Sequence, residues 1–202
     1  MSVLELETPH GPARVHLDGR GDDTRGALIL GHGAGGGVSA RDLVAAARVA
    51  RSEALAVALV EQPYKVAGRR SLAPAGQLDT AWTAVVEQLR GELRGLPLIA
   101  GGRSSGARVA CRTAAATGAV AVLCLAFPLH PPGRPEKSRL EELDAVPVPV
   151  LVVQGASDPF GMPPGGPGRE VVVVPGNHSL RGDLDAVGSA VRQWLGVVLP
   201  GR

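Results

Sequence analysis

Aromatic side chains are scarce in this chain of 202 residues: Tyr64, Trp82, Phe127, Phe160 and Trp194 amount to 2% of it. So few rings exclude a base-stacking surface or a broad aromatic platform for carbohydrate. Neither sign of charge is in excess. Lys+Arg number 21 and Asp+Glu 19, a net charge of +2, which implies no nucleic-acid footprint and no anionic membrane partner. Lysine is almost missing, with only Lys65 and Lys137. Arginine takes its place beside abundant Ala, Gly and Val, a codon bias that says nothing about activity. The two cysteines, Cys111 and Cys124, lie in apolar segments without a partner Cys or His at metal-ligand spacing; buried reduced thiols are expected. The longest apolar runs, such as 120–127, fall far short of the ~18 residues of a membrane span. Met1 to Glu5 lack the basic and apolar regions of a signal peptide. There is no G-x-x-x-x-G-K-[ST] phosphate loop and no metal-ligand cluster. The expectation is a soluble, cytoplasmic protein with no cofactor and no metal.

What is present is the composition of one globular domain over 1–202, with 45% apolar and 20% charged residues. A chain of this length buries enough surface to fold without disulfides. Segments 3–7 and 13–17 alternate apolar and polar residues around Pro9-His10-Gly11-Pro12, as an edge hairpin does. Further on, 27–30, 55–60, 97–100, 120–126, 148–153 and 171–174 are continuously apolar. That pattern predicts strands of a parallel sheet covered on both faces. Between them, 41–53, 77–94, 105–117 and 183–197 carry apolar residues at helical spacing, for example Leu78, Trp82, Val85, Leu89 and Leu93. The order β-β-β-α-β-α-β-α-β-α-β-β-α predicts an α/β fold, a doubly wound, mostly parallel sheet with an antiparallel amino-terminal edge hairpin. Segments 62–74, 128–135 and 158–168 read as loops after strands, the edge at which open α/β sheets bind ligands. No segment is long enough for a lid domain.

The strongest chemical signal is Gly102-Arg103-Ser104-Ser105-Gly106, between an apolar strand and a helix of small residues. This is the context of the G-x-S-x-G nucleophile elbow, where a sharp turn exposes the central hydroxyl and the flanking positions must be very small. Spacing favours Ser104 as nucleophile over Ser105, whose flanks are Arg103 and Ala107. A serine needs a base, and the base an orienting group. Of the five histidines, His10 and His16 belong to the hairpin and are expected far from any strand carboxyl end. His178, in Pro175-Gly176-Asn177-His178-Ser179, follows the last strand and precedes the last helix. Asp158, in Gln154-Gly155-Ala156-Ser157-Asp158-Pro159, follows the strand 148–153. Serine, acid, histidine is the chain order of the α/β-hydrolase triad. Asp183 and Asp185 fit the first turn of the last helix instead.

Gly31-His32-Gly33-Ala34-Gly35-Gly36 follows the strand ending at Leu30. A turn there brings the backbone N–H of Ala34 towards the nucleophile, to form an oxyanion hole with the N–H of Ser105; His32 is then a structural turn residue. The same segment matches G-x-G-x-x-G at Gly31, Gly33 and Gly36, with Glu61 ending the next strand. That is the alternative of a dinucleotide-binding Rossmann protein. It leaves Ser104, Asp158 and His178 in three strand-end loops by coincidence.

With these residues in place the chain resembles small α/β-hydrolases. More narrowly, it resembles the group that includes testis-expressed protein 30 and the hydrolase-like domain of the non-specific-lethal complex subunit three, with the dienelactone hydrolases as more distant relatives. The resemblance spans about residues 12–198. It rests on Gly31–Gly35, Gly101–Gly106, Phe127-Pro128-Leu129-His130-Pro131-Pro132-Gly133, Gln154–Gly161 and Asn177–Ser179; the segment around His130 is the most specific to that group. It implies a serine hydrolase fold with Ser104, Asp158 and His178 in the catalytic positions. The residue after the nucleophile, often methionine in such proteins, is Ser105 here, which alters the pocket and not the backbone donor. The expected activity is that of an esterase or thioesterase on a small-molecule ester, in a shallow site suited to short acyl groups. His32, Gly35, His130 and Phe160 are candidates for lining it. The competing class is a non-catalytic interaction module that has kept the fold.

Overall fold

The chain runs β1 (Ser2–Leu6), β2 (Ala13–Asp18), β3 (Gly26–Gly31), α1 (Arg41–Ser52), β4 (Leu55–Glu61), α2 (Pro63–Val66) and α3 (Ala75–Glu92). It continues through β5 (Leu98–Arg103), α4 (Ser105–Thr113), β6 (Ala121–Leu125), α5 (Leu140–Asp144), β7 (Val150–Gly155), β8 (Arg169–Val174) and α6 (Leu184–Val198). The structure, a computed structural model, describes residues 2–19 and 21–199. The eight strands form one sheet in the order β1-β2-β4-β3-β5-β6-β7-β8. All pairs from β4 to β8 are parallel, and β1 and β2 add an antiparallel edge.

The unbroken apolar runs follow from helices on both faces. In β3, Ala27 and Ile29 join one core, and Leu28 and Leu30 the other. Likewise Val122 and Cys124 of β6 face one side, while Leu123 and Leu125 face the other. One core is closed by α3 and α4, and the opposite one by α1 and α6. The edge strand β2 keeps its alternation, with Ala13, Val15 and Leu17 buried and Arg14, His16 and Asp18 half-buried. Cys111 and Cys124 are buried free thiols with their Sγ atoms 3.4 Å apart.

Three details depart from the sequence reading. Segment 62–74 is not all loop, because Pro63 starts the short helix α2; its fixed φ and missing N–H suit a first helical position. The helix expected over 105–117 ends at Thr113. There Ala114 N–H bonds to Cys111 O, and the chain closes in turns up to Gly118, which has φ +56°. The hairpin histidines do stand at a strand carboxyl end. Because β2 is antiparallel to β4, Arg14 pairs with Glu61 and His16 with Leu59, which brings the β1–β2 turn to the carboxyl end of β4. Asp183 is the α6 N-cap, its carboxylate accepting the Ala186 N–H at 2.8 Å, and Asp185 lies in the first turn.

Candidate active site

The parallel strands deliver their carboxyl ends to one rim. Ser104 follows β5, Asp158 follows β7 and His178 follows β8. At Ser104 the backbone takes φ 53° and ψ −112°, the strained turn that lifts a side chain clear of strand and helix. Its N–H is fixed to Leu125 O at 2.9 Å. The flanking glycines are required by space. A Cβ on Gly102 would lie 2.7 Å from the backbone carbon of Gly106 and 2.6 Å from Gly31 O, and one on Gly106 would overlap the Gly31 carbonyl. The turn after β3 thus abuts the elbow, and Gly33 lies against Ser104, where an added Cβ would be 3.4 Å from the serine Cβ.

The three side chains meet in line. His178 Nε2 is 2.9 Å from Ser104 Oγ, and His178 Nδ1 is 2.8 Å from Asp158 Oδ2. The Asp158 side chain is fully buried and that of His178 is 16% exposed, so the line runs from the protein interior to the solvent edge. Asp158 Oδ1 also accepts the Phe160 N–H at 2.8 Å. The Phe160 ring lies on the His178 imidazole with centroids 4.1 Å apart.

Two groups that the sequence reading quoted without a role hold this line in place. Gln154, fully buried, donates from Nε2 to Asp158 Oδ2 and to Gly161 O, both at 2.8 Å, and lies 3.1 Å from Phe127 O. It ties β7 to the Asp158 loop. Arg103 donates from Nε to Asp42 Oδ2 at 2.9 Å and from Nη2 to His178 O at 3.0 Å, joining α1, the elbow and the histidine loop. Burial pushes the Asp42 carboxyl above its ordinary value, against the Arg103 charge and the Leu43 N–H, which hold it down. Arginine beside the central serine was the available signal. Its partner, some sixty residues away, was not readable from spacing.

The remaining candidates divide. His32 is 2% exposed; Nδ1 lies 2.9 Å from Gly33 O, and Nε2 accepts the Gln62 N–H at 3.2 Å. That is a turn-locking role, and burial lowers its pKa. Glu61 is taken by His16, at 2.9 Å, and by Arg14, at 3.8 Å. Ala34 sits in the turn Gly33–Gly36, closed by Gly36 N–H to Gly33 O, and Ser105 opens α4, where N–H groups have no intrahelical acceptor. Gly35 borders a cleft with Arg41, Arg103, Ser179 and Arg181. His130 packs on Gly161, with Nδ1 2.9 Å from Pro131 O. Among the described residues no group of three His, Cys, Asp or Glu could hold a metal ion, and no helix is long and apolar enough to cross a membrane.

A mostly parallel sheet with a strained serine between strand and helix defines the α/β-hydrolase class of protein. The chain belongs to the alpha/beta hydrolase domain family, which matches residues 24–165. In fold it is similar to XC6422 from Xanthomonas campestris, described as an α/β serine hydrolase without lid (TM-score 0.80, 23% identity, 100% of this chain and 96% of that one). It is also similar to dienelactone hydrolase from Anabaena variabilis (0.78, 19%, 98% and 97%) and to the esterase Pf2001 from Pyrococcus furiosus (0.77, 14%, 98% and 92%). No curated protein matches the chain in sequence.

Proposed function

We propose that the protein is a serine hydrolase of esterase or thioesterase type that cleaves a small carboxylic ester through an acyl-enzyme, without a cofactor. The observation that carries this reading is the unbroken line from Ser104 Oγ through His178 to Asp158, at 2.9 and 2.8 Å. With a carboxylate at Nδ1, the neutral imidazole keeps its proton there and turns the Nε2 lone pair to the serine hydroxyl. Ser104 Oγ attacks the carbonyl carbon as His178 Nε2 takes its proton. The tetrahedral oxyanion is met by the backbone N–H groups of Ala34 and Ser105, each such donor supplying about 3–4 kcal/mol of transition-state stabilisation. The C–O or C–S bond breaks as His178 returns the proton to the leaving group. Water, activated by the same imidazole, then releases the acid. Asp158 holds the ring and stabilises the imidazolium without itself taking the proton.

Within the family, Pro-Leu-His-Pro-Pro-Gly at 128–133 supports kinship with the testis-expressed protein 30 group. Kinship in fold with a lidless serine hydrolase and with an esterase favours the ester over other bonds. A panel of p-nitrophenyl esters on wild type and Ser104→Ala tests the reading. Wild type should turn over at least one short ester, and the variant should lose about 10⁴-fold or more in kcat. No turnover by folded wild type across the panel would favour the non-catalytic binding module.

A further inference from the structure

A cleft of about 290 Å³ opens between the glycine turn after β3 and the loop that carries His178, with Gly35, Gly36, Arg41, Arg103, Ser179 and Arg181 in its walls. A water in the liquid takes up only ~30 Å³, so the cleft has room for a functional group of a substrate. Three guanidinium groups border it, and Asp42 is the one carboxylate among the lining residues. Asp42 is held by Arg103, at 2.9 Å. Arg41 and Arg181 are exposed, and among the described residues neither side chain has an ion pair or hydrogen bond to another. Two positive charges therefore converge on one cleft with no carboxylate to offset them, and their field attracts an anion. The catalytic line uses neither.

Charge balance constrains the anion. A carboxylate would offset one of the two free guanidinium charges. A phosphate monoester carries close to two negative charges at pH 7 and presents three acceptor oxygens, which guanidinium forks pair with two at a time. Position selects the half of the substrate that carries it. Ser179 directly follows His178, and Arg103 Nη2 donates to His178 O at 3.0 Å, so the cleft is built onto the histidine loop. The leaving group must face His178 Nε2 to receive its proton. A group that reaches this cleft therefore belongs to the leaving alcohol or thiol.

We propose that Arg41 and Arg181 form a subsite for a phosphate group on the leaving half of the substrate. This rests on the serine-hydrolase reading above; the phosphate is bound and is not itself cleaved. Two pairs of acetate esters test it: 4-acetoxyphenyl phosphate against 4-methoxyphenyl acetate, and the two 3-substituted analogues. All four give the same acetyl-enzyme, so kcat/KM reports on the leaving group alone. In at least one pair wild type should favour the phosphate ester by about tenfold or more at low salt, and added NaCl should shrink the ratio. Arg41→Gln and Arg181→Gln should each cut it several-fold, with melting temperatures showing that the variants are folded. 4-Acetoxybenzoate, a monoanion, should lose less than the phosphate ester in the same variants; an equal or larger loss would overturn the choice of phosphate. Equal kcat/KM within both pairs, or a preference that survives both substitutions, would overturn the subsite. Those results leave the hydrolase reading standing as long as wild type cleaves p-nitrophenyl acetate. If no acetate ester is cleaved and Ser104 takes no label from a fluorophosphonate, the hydrolase reading fails and the subsite falls with it.

Discussion

His32 shows how one buried side chain couples the site to pH. Its two ring nitrogens are engaged as one donor and one acceptor, an arrangement only the neutral imidazole satisfies, and burial lowers its pKa below the ordinary 6.5. Below about pH 6.5 the unfolded chain binds a proton here that the folded chain refuses, so this group's share of stability is present at neutral pH and is lost on acidification, by at most ~1.4 kcal/mol per pH unit. The melting temperature of wild type should therefore fall more between pH 7.5 and 5.5 than that of His32→Gln; equal falls would remove His32 from the account. Gln154 is the second residue with a measurable role. Replacing it by Met leaves Asp158 Oδ2 with the histidine as its one side-chain partner, and kcat should drop on the order of 10- to 100-fold with KM little changed. Steady-state kinetics of the folded variant check this. Ser104, Asp158 and His178 stand out as candidates in the sequence because each lies within two residues of a glycine or proline after a strand, in the chain order serine, acid, histidine. Gln154 does not, because a glutamine inside a buried strand carries no spacing signal and its role exists only once the loop folds back over it.

At the scale of elements, the elbow and its clamp make separate predictions. Gly106→Ala drives a methyl into the Gly31 carbonyl, and neither backbone can retreat because both belong to the sheet-and-helix frame. The variant should lose several kcal/mol of stability by urea unfolding, about as much as severe overpacking costs. Normal stability would mean that the β3 turn does not press on α4. Arg103→Met leaves the Asp42 carboxyl, 1% exposed, without its cation, at a cost of about 3 kcal/mol near neutral pH. That carboxyl already holds its proton above the ordinary value, so the loss should shrink as pH falls towards 4 and the neutral acid forms. A loss independent of pH would assign the effect to packing alone. The longer helices were readable from apolar residues at helical spacing and the central strands from unbroken apolar runs, whereas the short helix α2 was not. The Asp42–Arg103 clamp was hidden, since an acid in the first turn of a helix reads equally well as a solvated dipole partner.

The whole molecule works as a frame that brings three distant segments to one rim, with hairpin β1–β2 sealing the β4 edge. That hairpin was recognisable from its alternation, but its direction was not: only the antiparallel pairing of β2 with β4 reveals that its turn lies at the carboxyl rim. The shallow site expected from the sequence should favour short acyl chains. A p-nitrophenyl series from acetate to dodecanoate should show kcat/KM falling as the chain lengthens, and a steep rise with length would contradict a shallow site. The most direct measurement is intact-mass and peptide mapping after reaction with a fluorophosphonate. The account predicts one phosphonyl group per chain, on Ser104, lost in Ser104→Ala and much slowed in His178→Ala. Folded wild type that stays unlabelled, or a label that persists in Ser104→Ala, would contradict it.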